Sequence, residues 1–119
     1  MYLFNSIDNV EVVGSEDCLY LNIFTRSLDS AEKKPVIVYI HGGQFSVGSN
    51  SRLGGEYMME EDVVLVTIQY RLNMCGFLST EDKVAPGNYG LHDQVAALRW
   101  VQQNILQFGG DRRKVCAIY

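Results

Sequence analysis

An α/β fold on a mostly parallel sheet is predicted by three observations. Residues 36–40 and 63–70 are near-continuous apolar runs rich in Val and Ile, as strands covered on both faces require. Between 91 and 108, apolar residues step by three or four, the period of an amphipathic helix. A further apolar run at 115–119 follows that helix across Gly109-Gly110. Strand, loop, strand, helix, strand in that order is the pattern of an open α/β sheet.

Each element has its own reason. Residues 1–17 read as an irregular lead-in. In 19–24, Leu19, Leu21 and Ile23 alternate with Tyr20, Asn22 and Phe24, the period of a strand. Polar residues 29–34 form a surface turn before the strand at 36–40. A Gly/Ser/Asn-rich loop spans 46–55 and leads into a short helical candidate at 56–60. After the strand at 63–70 the chain is loop-like through Pro86-Gly87-Asn88-Tyr89-Gly90. The helical stripe is then Leu91, Val95, Leu98, Gln102, Ile105 and Phe108. Gly109-Gly110 stops it, because glycine takes the left-handed cap conformation without penalty.

With 119 residues, 47% of them hydrophobic, the chain can build the core of one small domain. It carries 10 basic and 14 acidic residues, net charge −4, and no basic run, which argues against nucleic acid or anionic membrane as a partner. Met1-Tyr2-Leu3-Phe4 is apolar but has no positive flank or long apolar core, so neither a signal peptide nor a membrane-inserting span is expected. The chain is then either cytoplasmic or lacks its true N-terminus. Three cysteines, Cys18, Cys75 and Cys116, leave at least one unpaired within the chain. Three buried reduced thiols in a cytosolic protein would satisfy the same count. No CxxC occurs, and His41 and His92 are far apart in sequence, so no metal or other cofactor is expected.

The chemistry is concentrated in His41-Gly42-Gly43-Gln44, directly after the strand at 36–40. Attack on an ester carbonyl needs preorganised N–H donors where negative charge develops, and glycine lets the backbone approach closely. Gly42, Gly43 and Gln44 are therefore candidate oxyanion donors, although a glycine pair after a strand also serves ordinary tight turns. His41 reads as a hydrogen-bonded residue that fixes the loop rather than as a general base. No serine stands in Gly-x-Ser-x-Gly, the elbow that would carry a nucleophile. Gly48-Ser49-Asn50-Ser51 lacks the second glycine and reads as a polar loop. His92 is expected to be solvated at the helix start, with Asp93 favoured there by the helix dipole. Trp100 reads as a packing residue.

Longer motifs make the pattern specific. Ser15-Glu16-Asp17-Cys18-Leu19-Tyr20-Leu21-Asn22-Ile23, Tyr39-Ile40-His41-Gly42-Gly43, Val66-Thr67-Ile68-Gln69-Tyr70-Arg71-Leu72 and Gly76-Phe77-Leu78-Ser79 stand in order. Pro86-Gly87-Asn88-Tyr89-Gly90-Leu91-His92-Asp93-Gln94, Ala97-Leu98-Arg99-Trp100-Val101 and Phe108-Gly109-Gly110-Asp111 follow. From Gly14 to Tyr119 the chain resembles the type-B carboxylesterases, the cholinesterase-like branch of the α/β-hydrolases, in a style closest to insect secreted esterases. The resemblance implies that residues 1–119 are an incomplete N-terminal part of one such domain. It implies a secreted or surface-held parent that cleaves small carboxylic esters with a Ser-Glu/Asp-His triad lying beyond Tyr119. It places the strand at 36–40 beside that at 115–119, with Gly43 and Gln44 giving two oxyanion donors. Cys18 corresponds to a cysteine bridged to an upstream partner that this chain does not contain, and Glu16 to a residue paired with an upstream arginine also absent here.

Four positions depart from the pattern. Gln44 stands for the usual Gly or Ala, Asn73 for a common Gly, and Cys75 and Cys116 are not family staples. Gln44 bears on the width of the acyl pocket more than on the donor, because its N–H remains. Three readings stay open: a piece of an active serine esterase, a piece of a non-catalytic adhesion relative, or a short binding module. The intact neighbouring motifs favour the first.

Overall fold

The computed structural model describes the backbone of residues 2–6, 9–56 and 58–119, and side chains from residue 14 onward except 52 and 57. β1 (Tyr2–Ser6) and β2 (Asn9–Val13) pair antiparallel, from Tyr2 opposite Val13 to Ser6 opposite Asn9. This hairpin corrects the expected irregular lead-in. Each strand is five residues long, so the β-branched and aromatic content that favours pairing is too brief to mark either strand alone.

The main sheet contains β3 (Leu21–Phe24), β4 (Lys34–Ile40), β5 (Val64–Ile68) and β6 (Gly110–Ile118) in the order β3-β5-β4-β6. β4 runs parallel to both β5 and β6, and β3 is antiparallel to β5. The register aligns Val36, Val38 and Ile40 with Val64, Val66 and Ile68. All six are at most 1% exposed and form one apolar face, with Leu21 and Ile23 packed against it. On the opposite face Leu65 and Thr67 are also fully buried. Asn22 and Asn50 donate through their side-chain amides to the Thr67 hydroxyl and carbonyl. The two-faced burial expected of 63–70 therefore holds through all of β5, whereas on β4 Ile37 and Tyr39 are half-buried.

The sheet reaches further than the apolar runs. β4 begins at Lys34, not in a surface turn, and the buried Lys34 Nζ meets Glu32 at 2.6 Å and Asp62 at 3.0 Å. A charged first residue concealed the strand start. β6 begins at Gly110, with an irregularity between the Gly110 and Val115 pairings, where buried Asp111 accepts the Arg113 N–H. The helical candidate at 56–60 is a 3-10 turn at Met58–Glu60, and another lies at Asn50–Arg52.

Two α-helices complete the fold. α1 (Asn73–Phe77) lies where loop was expected, because five residues are too few to show a period. α2 (Tyr89–Asn104) continues as a 3-10 turn, Ile105–Phe108, and ends at Gly109 with φ 79°. A Cβ on Gly109 would sit 2.8 Å from the Ser27 carbonyl oxygen, so glycine is needed there for space as well as conformation. The buried side of α2 differs from the predicted stripe. Gly90, Gln94 and Val101 face inward in place of Leu91, Val95 and Gln102, while Leu98, Ile105 and Phe108 remain on the packed side. At those three positions the inward residue stands one place earlier, so the packed face is centred between the predicted stripe and the row before it. Buried Asp93 has an ionic partner, so polarity alone misjudged which way the first turns face.

β6 is the last strand on its side of the described sheet, and Cys116, Ala117, Ile118 and Tyr119 are exposed. Leu91 and Val95 add apolar surface on α2. Edges of this kind template association. The purified chain is expected to self-associate at micromolar concentration in sedimentation velocity; a monodisperse monomer with one sharp unfolding transition contradicts this.

Candidate functional site

The loop leaving β4 is built around three successive residues in left-handed or glycine-type conformation: Gly43 (φ 128°), Gln44 (φ 56°) and Phe45 (φ 59°). The Gly43 carbonyl closes the turn by accepting from the N–H groups of Ser46 (3.0 Å) and Val47 (3.1 Å). A Cβ on Gly43 would overlap the Val47 carbonyl oxygen at 1.8 Å, so only glycine fits. Non-glycine residues in this region cost about 1–2 kcal/mol each, and such strain collects where backbone groups are aimed for a purpose. Neither the Gly43 nor the Gln44 N–H donates to any described residue. Two adjacent donors are thus left free at the C-terminal edge of the sheet, where α/β folds place their ligands.

Packing beneath the loop fixes it. The buried His41 ring stacks on Tyr70 at 4.6 Å and 17°, and the Tyr70 hydroxyl donates to the His41 carbonyl at 2.8 Å. Burial pushes the Tyr70 phenol above its usual value, with the neighbouring Tyr119 and Tyr39 adding to this, so it stays protonated as a donor. His41 Nδ1 lies 3.0 Å from the Gly42 carbonyl oxygen, which makes Nδ1 the protonated nitrogen. His41 is therefore a buried structural residue, as expected. A Cβ on Gly48 would lie 2.4 Å from His41 Nδ1, so that glycine is required by the ring. Phe45 packs on Phe77 at 5.1 Å, and its carbonyl accepts the Asn73 N–H at 2.7 Å, which ties the loop to α1. Between loop and helix lies an open cleft of about 360 Å³, lined by Gln44, Phe45, Asn73, Met74, Phe77 and Leu78 among others.

Asp93 is the fifth residue of α2, past the first turn where the helix dipole acts, and it is held by a cation instead. Its carboxylate accepts from Arg71 Nε and Nη2, each at 2.7 Å, and from the Arg71 backbone N–H at 3.0 Å. Gly76 and Gly90 both approach the Arg71 carbonyl so closely that a Cβ on either would sit 2.2–2.4 Å from it. The chain segment after β5 is thereby clamped to the start of α2. Arg71 also stacks over Tyr89 at 5.2 Å. The paired residues were visible in the sequence, but their contact crosses 22 positions and carries no local signal.

The remaining expectations divide. His92 is exposed, as a solvated helix-end residue. Ser49 is 2% exposed and caps the Asn50–Arg52 turn by accepting the Ser51 N–H, so it is a structural hydroxyl. Trp100 lies 6.1 Å from Phe108. Cys18, Cys75 and Cys116 are free thiols in this structure, and burial raises the Cys18 pKa. The end of β6 lies beside the candidate loop, because Ile118 pairs with Tyr39 two residues before His41.

The carboxylesterase family profile matches residues 3–118, and this chain belongs to that family. It is 52% identical over 109 residues to a juvenile hormone esterase of Tribolium castaneum, covering 90% of this chain and 18% of that protein. It is 53% identical over 109 residues to liver carboxylesterase 1 of Oryctolagus cuniculus, covering 90% of this chain and 19% of that one. Among solved structures, Geobacillus stearothermophilus carboxylesterase EST55 superposes with TM-score 0.81 at 47% identity, covering 87% of this chain and 24% of that one. Juvenile hormone esterase of Manduca sexta, with OTFP covalently attached, gives 0.80 at 42%, covering 87% and 20%. The fold is accordingly that part of the α/β-hydrolase sheet that these strands represent. The chain spans about a fifth of the length of these relatives.

Burial raises the Asp93 pKa, but the side-chain and backbone hydrogen bonds and the charge of Arg71 outweigh it and leave the carboxyl below its ordinary value. The bridge therefore stabilises fully above the unfolded pKa of about 3.9 and is lost as pH falls through the lower folded value. Asp93→Ala is expected to cost about 3 kcal/mol, the low end for breaking a buried pair because Arg71 keeps some water access. Urea titrations of dilute protein check this: the difference between wild type and variant should be constant above pH 5 and shrink in strong acid. A difference independent of pH excludes the ionic account.

Proposed function

We propose that Gly42, Gly43 and Gln44 form the oxyanion-hole loop of a serine carboxylic-ester hydrolase, of whose catalytic domain residues 1–119 are the N-terminal part. The observation that carries this is the pair of unengaged N–H groups, Gly43 and Gln44, held by a strained turn beside the end of β6. Attack on an ester carbonyl moves charge onto its oxygen, and donors already in position stabilise that charge without reorganisation. A third donor, the serine, the acid and the histidine belong to segments beyond this chain, which itself contains no Gly-x-Ser-x-Gly. The substrate class is small-molecule carboxylic esters. The protein is read as secreted, with Cys18 bridged to a cysteine upstream. No helix among the described residues is long and apolar enough to cross a membrane.

Gln44 in place of the usual Gly or Ala also fits the second open reading, a non-catalytic adhesion relative whose unused loop is free to drift. Its conformation weighs against that. Gln44 accepts a left-handed φ of 56° and keeps its N–H unengaged among the described residues, so the loop holds an open donor at an energetic cost. An unused loop would be free to relax.

The chain by itself is expected to hydrolyse no short-chain activated ester, because donors without a nucleophile give little acceleration. A fluorophosphonate probe on purified protein is the direct check; stoichiometric labelling of one serine overturns the assignment. In a longer protein containing this chain, Gly43→Ala keeps the N–H but its Cβ would drive the turn off the Val47 carbonyl, and the misplaced donor is expected to lower kcat by about 10²–10³.

Gln44 is exposed and lines the cleft toward α1, so it is expected to narrow the acyl side while its N–H still serves. In the same longer protein, Gln44→Gly should raise kcat/KM on bulky-acyl esters by about tenfold, the scale of one methylene-sized contact, and leave acetyl esters nearly unchanged. A uniform loss across acyl lengths means instead that the side chain organises the loop, and no change anywhere means that it points away from the substrate.

A further inference from the structure

Two departures from the family pattern, Asn73 and Cys75, stand two residues apart. We propose that Asn73 is an acceptor for an N-linked glycan, within the tripeptide Asn73-Met74-Cys75. Transfer to asparagine requires a non-proline residue next and a small hydrogen-bonding side chain two positions on, normally the hydroxyl of Ser or Thr. A thiol has the same place on the chain and an S–H to offer, and is the weaker substitute. No other asparagine of this chain has Ser, Thr or Cys at that spacing.

The structure presents all three residues to solvent. Asn73 and Cys75 are exposed, and Met74 is 68% exposed. The Asn73 backbone is held by its N–H bond to the Phe45 carbonyl, while its side-chain amide makes no hydrogen bond among the described residues. Its φ of 52° explains why Asn tolerates a position where Gly is common. Backbone geometry thus accounts for Asn73 alone. It does not account for the thiol: free cysteine is among the most buried residue types, yet Cys75 is an unpaired thiol on the open side of α1. The acceptor motif accounts for both.

In the reaction, the Asn73 amide nitrogen attacks the anomeric carbon of an oligosaccharide carried on a polyisoprenoid pyrophosphate. The carbon–oxygen bond to pyrophosphate breaks, the lipid pyrophosphate leaves with the electron pair, and the amide loses one proton to the transferase. No redox change occurs, and Cys75 is a recognition group that must be a free thiol. This inference rests on the reading of the protein as secreted and does not require the ester chemistry. A glycan here stands at the cleft that Asn73 shares with Gln44, so it would also screen the approach to that loop.

The test is translation of the whole chain, behind a cleavable leader and with one Asn-Gly-Thr acceptor appended, in the presence of microsomes. Wild type should give a doubly glycosylated species, removed by peptide N-glycosidase with conversion of Asn73 to Asp in heavy-oxygen water. Cys75→Ser should raise its share, and Cys75→Ala and Asn73→Gln should each leave the single glycan of the appended acceptor. A single glycan on wild type overturns the proposal, whether or not Cys75→Ser gains a second one.

Discussion

Because β4 hydrogen-bonds in parallel to β5 on one side and β6 on the other, the loops leaving β4 and β5 emerge at the same edge of the sheet as the end of β6. Parallel neighbours cannot be joined by a tight turn, so the chain must cross over the sheet between them. The crossover from β5 to β6 contains α2, whose inner side seals the face formed by Val36, Val38, Ile40, Val64, Val66 and Ile68. That burial fixes where β4 ends, and His41 to Gln44 inherit their position from it.

The loop stays in a strained conformation because its surroundings over-determine it. From below, Tyr70 holds His41 by stacking and by a hydrogen bond. From the side, Phe45 is held through its ring by Phe77 and through its carbonyl by Asn73. Glycine at 43 and 48 removes the atoms that would collide. With the carbonyls engaged, the Gly43 and Gln44 N–H donors stay without a partner among the described residues, as does the buried Nε2 of the His41 ring.

The same economy governs the corner after β5. Arg71 turns its backbone N–H and guanidinium to one carboxylate, Asp93, while its carbonyl is approached by Gly76 and Gly90. A buried carboxylate is costly unless its oxygens are met by donors, and here three donors meet it. The clamp sets the rotation of the first turns of α2, and with it which of the helix's residues reach the sheet.

Local sequence carried the signals that repeat or punctuate. The β-branched runs marked β4, β5 and β6, alternation marked β3, and Gly109 marked the end of the helical stretch, because each reports a short-range property of the backbone. The glycines after β4 marked the candidate loop for the same reason. The tertiary structure alone decided that 2–13 would pair as a hairpin, that Lys34 would enter the sheet, and that α2 would bury Gly90, Gln94 and Val101 rather than Leu91, Val95 and Gln102. Each of those outcomes depends on a partner that the element's own residues do not announce: a second strand, the carboxylates of Glu32 and Asp62, the guanidinium of Arg71. A residue's polarity states what burying it costs, and only the fold supplies the partner that offsets the cost.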